Sequence, residues 1–177
     1  MEIINNIINI LGQYAPIILI LISIFLLKNT TNLLFYYIIG IFINTLLNII
    51  LKIIIQQPRP NDDSKMVDIA LKNGKRFIFK NNIIPFNIFG MPSGHSQSSF
   101  FSTTFIFLSL KNIRIVFLYL FLSFITIYQR VKYNYHTIFQ VIVGAIVGII
   151  FAYIMFYFSQ QNIKSILKEK EDDNAPI

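Results

Sequence analysis

Hydrophobic residues in this chain gather into five runs separated by polar stretches. The runs cover residues 7–27, 33–55, 96–110, 113–128 and 137–158. A helix that crosses a bilayer needs about 20 mostly apolar residues, and each run approaches that length, although the third and fourth are short. One such run fits a core helix of a water-soluble protein, but five within 177 residues argue against that class. The pattern therefore predicts an all-α, polytopic membrane bundle of about five transmembrane helices.

The two ends of the chain carry different patterns. Within residues 1–11, one helical face carries Ile3, Ile4, Ile7, Ile8 and Leu11, and Asn5, Asn6 and Asn9 lie off it. This pattern predicts a short interfacial helix leading into the first span. Pro16 is expected near the start of that span, where a missing amide costs little. We expect one membrane-embedded domain over residues 1–158 and a polar, disordered tail over residues 159–177, which is rich in Lys, Glu and Asp.

Composition excludes several classes of protein. Charged residues make up 13% of the chain, half the roughly 25% of a typical soluble domain, and 55% hydrophobic residues exclude a disordered chain. Without Cys, the chain forms neither a disulfide scaffold nor a thiolate metal site. The net charge of +7 is spread over two membrane faces, which disfavours nucleic-acid binding.

The order of the runs predicts which loops share a side of the membrane. If the N-terminus lies on side A, residues 56–95 and 129–136 also lie on side A. The turn from Lys111 to Arg114 and the tail then lie on side B. Lys and Arg are nearly balanced between the two sides, so the positive-inside rule leaves the orientation open.

Two side-A stretches carry candidate chemistry. Lys52 lies in the last turn of the second run, and Arg59 follows between Pro58 and Pro60, which restrict its backbone. Snorkelling of a lysine to the interface is the simpler interpretation of Lys52.

The second stretch, residues 90–96, reads Gly-Met-Pro-Ser-Gly-His-Ser directly before the third run. The free amides of a helix start suit a phosphate, and Ser93 can donate a further hydrogen bond. An ordinary N-cap turn is the alternative. Such a turn needs no histidine, however, and His95 is one of only two in the chain.

A third side-A stretch holds Arg130, His136 and Gln140. His136 and Gln140 are four apart and share a helical face, so Gln140 can hydrogen-bond one imidazole nitrogen and fix the tautomer. A polar patch where a helix leaves the membrane is the alternative. Together, the three stretches supply what a phosphate pocket needs: cations that bind a phosphoryl group, one His to attack phosphorus and one to protonate the leaving oxygen.

These residues resemble the motifs of the type 2 phosphatidic acid phosphatase (PAP2) superfamily, which are Lys-x6-Arg-Pro, Pro-Ser-Gly-His and Ser-Arg-x5-His-x3-Asp. Lys52 with Arg59, the stretch 92–95, and Arg130 with His136 match them in order. Gln129 replaces the family's Ser, and Gln140 replaces its Asp. The stretch Tyr-His-Thr-Ile-Phe-Gln-Val at 135–141 is similar to the dolichyl diphosphatase branch.

The resemblance implies a PAP2/haloperoxidase-like helical core and a phosphatase that needs neither metal nor other cofactor. It implies that His136 is the nucleophile, that His95 is the general acid and base, and that Gln140 orients His136. The phosphoryl oxygens would be bound by Lys52, Arg59, Arg130, Ser93 and Gly94.

The implied substrate is a membrane lipid phosphate, in particular a polyprenyl diphosphate of the dolichyl type. The resemblance implies a multi-pass integral membrane protein, located in an endoplasmic-reticulum-type membrane in a eukaryotic setting. Its site would face the lumen or exterior. Two alternatives remain: a broader phosphatase acting on phosphatidate or undecaprenyl diphosphate, and a non-catalytic binder of lipid head groups with the same fold.

Overall fold

Five α-helices make up the described part of the chain. The computed structural model describes residues 2–60 and 89–172. The helices are α1 (Glu2–Leu27), α2 (Thr31–Ile55), α3 (Gly94–Leu110), α4 (Ile113–Lys132) and α5 (Ile138–Asp172). The described ranges contain no strand, only an isolated bridge between Pro58 and Phe89. The predicted all-α bundle is confirmed, and most of the predicted side-A loop lies outside the described residues.

Four of the described helices, α1, α2, α4 and α5, are long and apolar enough to cross a membrane. The fifth, α3, has 17 residues and is the most enclosed, with every residue from 99 to 106 buried. Its hydroxyls bond to its neighbours: Thr103 Oγ1 lies 2.9 Å from Ser123 Oγ, and Ser102 Oγ lies 2.8 Å from Tyr37 Oη. The Ser and Thr content of the third run therefore reflects a central helix.

The distribution of side chains indicates a multi-pass membrane protein. Large apolar side chains face outward, as at Leu21 (62% exposed), Phe42 (65%) and Phe117 (66%). The interior holds many buried Ser, Thr, Asn and Gln side chains. Bilayer lipid accepts apolar surface, whereas polar groups must find partners inside the protein. This arrangement is therefore stable in a bilayer.

Close packing of α3 against α5 depends on two glycines of α5. A Cβ at Gly144 would lie 2.5 Å from Ser93 O, and a Cβ at Gly148 would collide with Gln97 O. Small residues let helix backbones approach in this way. The Gly-x3-Gly spacing therefore serves contacts within the chain.

The N-terminal helix differs from the predicted interfacial helix. α1 is continuous from Glu2 to Leu27, with Pro16 in its interior. Its exposed face carries Ile3 and Ile7, while Asn5 and Asn9 bond to α4. The apolar face thus points away from the bundle, because the asparagines find hydrogen-bond partners inside it.

The helix boundary expected near residue 158 also differs. α5 continues to Asp172, so residues 159–172 of the predicted disordered tail are helical. Asn32 Nδ2 donates to Ser159 O at 2.8 Å, and Asn162 Nδ2 donates to Asn32 Oδ1 at 3.0 Å. These bonds to the start of α2 hold the extended helix. Residues 173–177 lie outside the described residues.

Candidate active site

The residues that the motifs single out meet at one end of the bundle. There α2 and α4 end, and α3 and α5 begin. In chain order, the residues are Lys52, Arg59, Ser93, Gly94, His95, Arg130, His136 and Gln140. Hydrogen bonds between the four segments and shared electrostatic interactions join them.

Lys52 belongs to a polar stripe on α2. Asn44, Asn48 and Lys52 recur every four residues and are buried on one face. Gln97 of α3 bridges the stripe: its Nε2 donates to Asn44 Oδ1 and its Oε1 accepts from Asn48 Nδ2, both at 2.8 Å. With 8% of its surface exposed, Lys52 points into the bundle and does not snorkel to the interface.

The segment that carries Arg59 is held by two other segments. Gly90 N donates to Gln57 O at 2.7 Å, and Gln140 Nε2 donates to Pro58 O at 2.8 Å. Gly90 is required there, because a Cβ would collide with the Gln140 amide. The backbone beside Arg59 is thereby fixed relative to the starts of α3 and α5.

The turn before α3 presents Ser93 and His95. Ser93 N donates to Gln140 O at 3.1 Å, and Asn48 Nδ2 donates to Pro92 O at 3.2 Å. Ser93 Oγ is buried without a hydrogen-bond partner among the described residues. A buried hydroxyl without a partner is costly, so this hydroxyl is available to a ligand. Ser93 is the N-cap residue of α3, but its side chain makes no capping bond.

The turn between α4 and α5 folds back onto Arg130. The backbone N–H groups of Tyr135 and His136 both donate to Arg130 O, at 3.0 and 3.1 Å. The Arg130 guanidinium lies 5.0 Å from the centre of the Tyr135 ring, and Arg130 Nε is buried without a hydrogen-bond partner in the described ranges. Arg130 and His136 are therefore fixed relative to each other by one short turn.

Gln140 determines which ring nitrogen of His136 carries hydrogen. Its Nε2 faces the carbonyl of Pro58, which only accepts, so its Oε1 is the atom 3.2 Å from His136 Nδ1. An amide oxygen also only accepts. The neutral imidazole therefore has its hydrogen on Nδ1 and its lone pair on Nε2.

The same side chain forms a capping box with Thr137. Thr137 N donates to Gln140 Oε1, and Gln140 N donates to Thr137 Oγ1, both at 3.2 Å. This reciprocal pair satisfies amides at the start of α5. This role was not predicted from the sequence, although the Thr-x-x-Gln spacing is its known signature. The roles of Asn48, Gln57 and Gln97 were not predicted either, because their contacts join residues far apart in the chain.

Both histidines are held in their neutral forms. The pKa of His95 falls from 6.5 to about 3, chiefly because of burial and then because of Arg130, Arg59 and Lys52, in that order. The pKa of His136 also falls to about 3, chiefly because of burial and then because of Arg59, while the Gln140 hydrogen bond opposes the fall. The three cations therefore act on both imidazoles, as expected for groups that share one site.

No carboxylate within residues 3–60 and 89–168 pairs with Lys52 or Arg130. Residues 3–60 and 89–168 contain neither Asp nor Glu. Within those ranges, no cluster of three or more potential His, Cys, Asp or Glu metal ligands occurs. An unpaired buried cation is costly. An anion with several acceptor oxygens, such as a phosphoryl group, would balance this charge.

A cavity of about 300 Å³ opens beside His95, between α1, α2 and α3. Its lining combines apolar side chains of α1 with a polar inner end: Gln13, Pro16, Ile17, Ile20, Thr45, Asn48, Gly94, His95 and Ser98. Ile17 is 55% exposed on the outer surface of the bundle. The cavity therefore extends from His95 and Gly94 to the surface that faces lipid.

Comparison with known proteins identifies a family for this chain. A protein-family model described as PAP2 superfamily matches residues 29–164, which is most of the chain. No curated protein and no solved structure matches. The matched range includes α2 to α4, most of α5 and every candidate site residue, and it excludes α1.

Proposed function

The chain belongs to the PAP2 superfamily, whose phosphatases act on lipid phosphates, and we propose that it removes the terminal phosphate of a polyprenyl diphosphate of the dolichyl type. The observation that carries this proposal is the meeting of two neutral histidines with Lys52, Arg59 and Arg130. Cations of this kind bind and neutralise phosphoryl oxygens, Arg as a planar fork and Lys as a point charge.

His136 is the proposed nucleophile. Its Nε2 carries the lone pair, since Nδ1–H faces Gln140, and a neutral imidazole is the form that attacks. Nε2 bonds to the terminal phosphorus while the bond from that phosphorus to the bridging oxygen breaks. The bridging oxygen leaves with the lipid monophosphate, and Lys52, Arg59 and Arg130 stabilise the charge on the transferred group.

His95 is the proposed acid and base. Among the protein's own groups the pKa of His95 is about 3, and the negative charge of bound diphosphate raises that pKa so that His95 takes up a proton. His95 gives this proton to the leaving oxygen. A water then attacks the phosphohistidine and returns a proton to His95, which releases inorganic phosphate and frees His136.

Ser93 and Gly94 complete the proposed phosphoryl site. The unpartnered Ser93 hydroxyl supplies a neutral donor, and the Gly94 amide opens the first turn of α3, where backbone N–H groups point toward an anion. The Gly94 Cα lies close to Asn48, because a Cβ there would lie 3.1 Å from Asn48 Oδ1. A glycine thus keeps this side of the site open.

The cavity beside His95 favours a lipid with one chain. At about 300 Å³, it lies at the lower end of the range for small-molecule sites. A single isoprenoid chain fits such a cavity better than the two acyl chains of phosphatidate. The similarity of residues 135–141 to the dolichyl diphosphatase branch supports the same choice.

The assay that tests this function measures phosphate release in detergent micelles from four substrates: dolichyl, undecaprenyl and farnesyl diphosphates and phosphatidate. We expect the prenyl diphosphates to be hydrolysed with higher kcat/KM than phosphatidate, and His136→Ala to abolish release. Ser165→Ala, an exposed change on α5, is the matched control. Equal rates on all four substrates would favour the broader phosphatase, and unchanged release by His136→Ala would contradict the catalytic proposal.

The non-catalytic alternative rests on Gln140 in place of the family's Asp. Against it, Gln140 still holds His136 Nδ1 and the Pro58 carbonyl, which is the orienting part of the role of an Asp. A protein that binds inorganic phosphate but releases none from any of the four substrates would support the binder.

We also propose that side A faces the lumen or exterior, in an endoplasmic-reticulum-type membrane in a eukaryotic setting. The chain has no Cys, so single cysteines report their own accessibility. In sealed microsomes, whose outer face is cytosolic, Lys164→Cys on side B should react with a membrane-impermeant maleimide added outside, and Lys132→Cys on side A should react only after permeabilisation. The reverse labelling would overturn this orientation.

A further inference from the structure

Helix α1 lies outside the range matched to the PAP2 superfamily, yet it contacts the end of α4 that carries Arg130. The contact includes Gln129, which stands where the family motif has Ser. Gln129 is fully buried, and its Nε2 donates to Asn9 Oδ1 at 2.8 Å. A part-buried hydrogen bond thus joins α1 to the residue directly before Arg130.

The shape of α1 is matched to this larger side chain. A Cβ at Gly12 would collide with the Cβ of Gln129. Asn9 and Gly12 lie three apart and share a face of α1. The glycine makes room for the Gln129 stem, while the asparagine binds its amide.

A second set of hydrogen bonds holds the end of α4 to Asn5, which lies one turn of α1 before Asn9. Lys132 Nζ donates to Asn5 Oδ1 at 2.7 Å, and Tyr133 Oη donates to Asn5 O at 3.2 Å. Asn5 and Asn9 are four apart, so they contact successive positions along the end of α4. The last turn of α4 is therefore fixed against α1 on both sides of Arg130.

That turn sets the positions of two groups in the site. Arg130 projects from it directly, and its carbonyl accepts from the N–H of His136 at 3.1 Å. A small rotation of the turn would move the guanidinium and, through this bond, the imidazole. Displacement of catalytic groups by about 1 Å can cost on the order of 100-fold in rate.

We propose that Gln129 is a positioning residue that acts through Asn9 of α1 to align Arg130 and His136 with the bound phosphoryl group. This inference rests on the proposed function, because it takes those two residues to act on phosphate. It assigns α1 a part in the reaction although the family match begins after it. Gln129 does not touch the substrate in this proposal.

The test compares Gln129→Ala, Asn9→Ala and the exchange variant Asn9→Gln/Gln129→Asn. The exchange keeps the combined reach of the two amides, so it should restore the bond. Ser23→Ala is the matched control, because Ser23 Oγ bonds to Tyr119 Oη at 2.9 Å between the same two helices at the opposite end. Each variant is assayed for kcat and KM on farnesyl diphosphate and for inorganic phosphate affinity by calorimetry.

We expect both single variants at the Gln129 contact to lose about 10- to 100-fold in kcat and to bind inorganic phosphate more weakly. The exchange variant should regain most of the kcat and most of the phosphate affinity. Ser23→Ala should keep the wild-type kcat and phosphate affinity even if its melting temperature falls. Wild-type kcat and phosphate affinity in Gln129→Ala would overturn the proposal, as would equal losses in Ser23→Ala. If the wild-type protein releases no phosphate, the proposed function fails, and the pattern of phosphate affinities still decides whether Gln129 positions the site.

Discussion

The side-chain oxygen of Gln140 lies 3.2 Å from Nδ1 of His136, so a neutral amide stands where the family motif has a carboxylate. The amide holds the ring and selects its tautomer, and it does so without adding negative charge. The imidazole therefore stays neutral in a site that already contains three cations. Orientation and charge, which an aspartate supplies together, are separated at this position.

The first prediction concerns the tautomer of His136. Gln140→Leu removes both the acceptor for Nδ1–H and the donor to Pro58 O. We expect kcat to fall at least tenfold, because the ring is no longer held in one tautomer.

Gln140→Glu tests charge separately from orientation. It keeps an acceptor for Nδ1–H but adds a carboxylate, which raises the pKa of His136. We expect it to retain more activity than Gln140→Leu, with the acid limb of its kcat/KM profile moved to higher pH. Identical pH profiles for Gln140→Glu and the wild-type protein would show that residue 140 does not control the charge of His136.

Stability should depend on pH through the two histidines. Their pKa values fall from 6.5 to about 3 on folding. Between these values the unfolded chain binds more protons than the folded chain, so the free energy of unfolding decreases as pH falls. This contribution is fully present above pH 6.5 and is lost as the pH approaches 3. We expect the melting temperature in detergent to drop from pH 7 to pH 4, and to drop less in His136→Asn. An equal drop in this variant would contradict the assignment.

Lys52 should stabilise the phosphate complex at the expense of the empty protein. It is 8% exposed, and residues 3–60 and 89–168 contain no carboxylate that could pair with it. Lys52→Met removes this buried charge and should raise the free energy of unfolding by about 1 kcal/mol.

The same variant should respond less to ligand. Inorganic phosphate stabilises a protein that binds it in the folded state only, so it should raise the melting temperature of the wild-type protein more than that of Lys52→Met. Lys164→Met, an exposed change on α5, is the control and should match the wild-type response. A full response in Lys52→Met would place the phosphate away from Lys52.

The cavity beside His95 should control use of the lipid chain. Ile20 lines it, and Ile20→Trp would fill much of its volume. We expect KM for a long-chain prenyl diphosphate to rise at least tenfold, while hydrolysis of water-soluble p-nitrophenyl phosphate stays unchanged. Ile10 lies on the outer face of the same helix and is 59% exposed. Ile10→Trp should therefore leave both the KM for the prenyl diphosphate and the hydrolysis of p-nitrophenyl phosphate unchanged. An unchanged KM in Ile20→Trp would place the chain elsewhere.

Local pattern was sufficient to predict the helices and the side of the bundle on which the candidate site residues lie. Each of the five hydrophobic runs is a helix, because an apolar run of that length satisfies its backbone within itself. The three motif stretches lie at helix ends on one side of the bundle. The sequence predicts this side, because the number of helices between two stretches determines whether they share a face of the membrane. Neither inference requires knowledge of which helices touch.

Which face of a helix points into the bundle could be seen only in the tertiary structure. Asn5 and Asn9 were expected on the polar side of an interfacial helix, but they face α4 because Gln129 and Lys132 are their partners. In a bilayer the outside is also apolar, so the hydrophobic pattern alone does not say which face is inside. The partner of a polar side chain decides this, and such partners lie more than a hundred residues away in the chain.

The sequence by itself determined an all-α membrane bundle and a set of candidate site residues, because both follow from residue type and from spacing along one helix or turn. Only the tertiary structure decided that Lys52 is buried, that His136 has its lone pair on Nε2, and that α1 holds the end of α4. Each of these depends on contacts between segments distant in sequence, such as Gln140 with Pro58. Their geometry is set by packing, which no local spacing encodes.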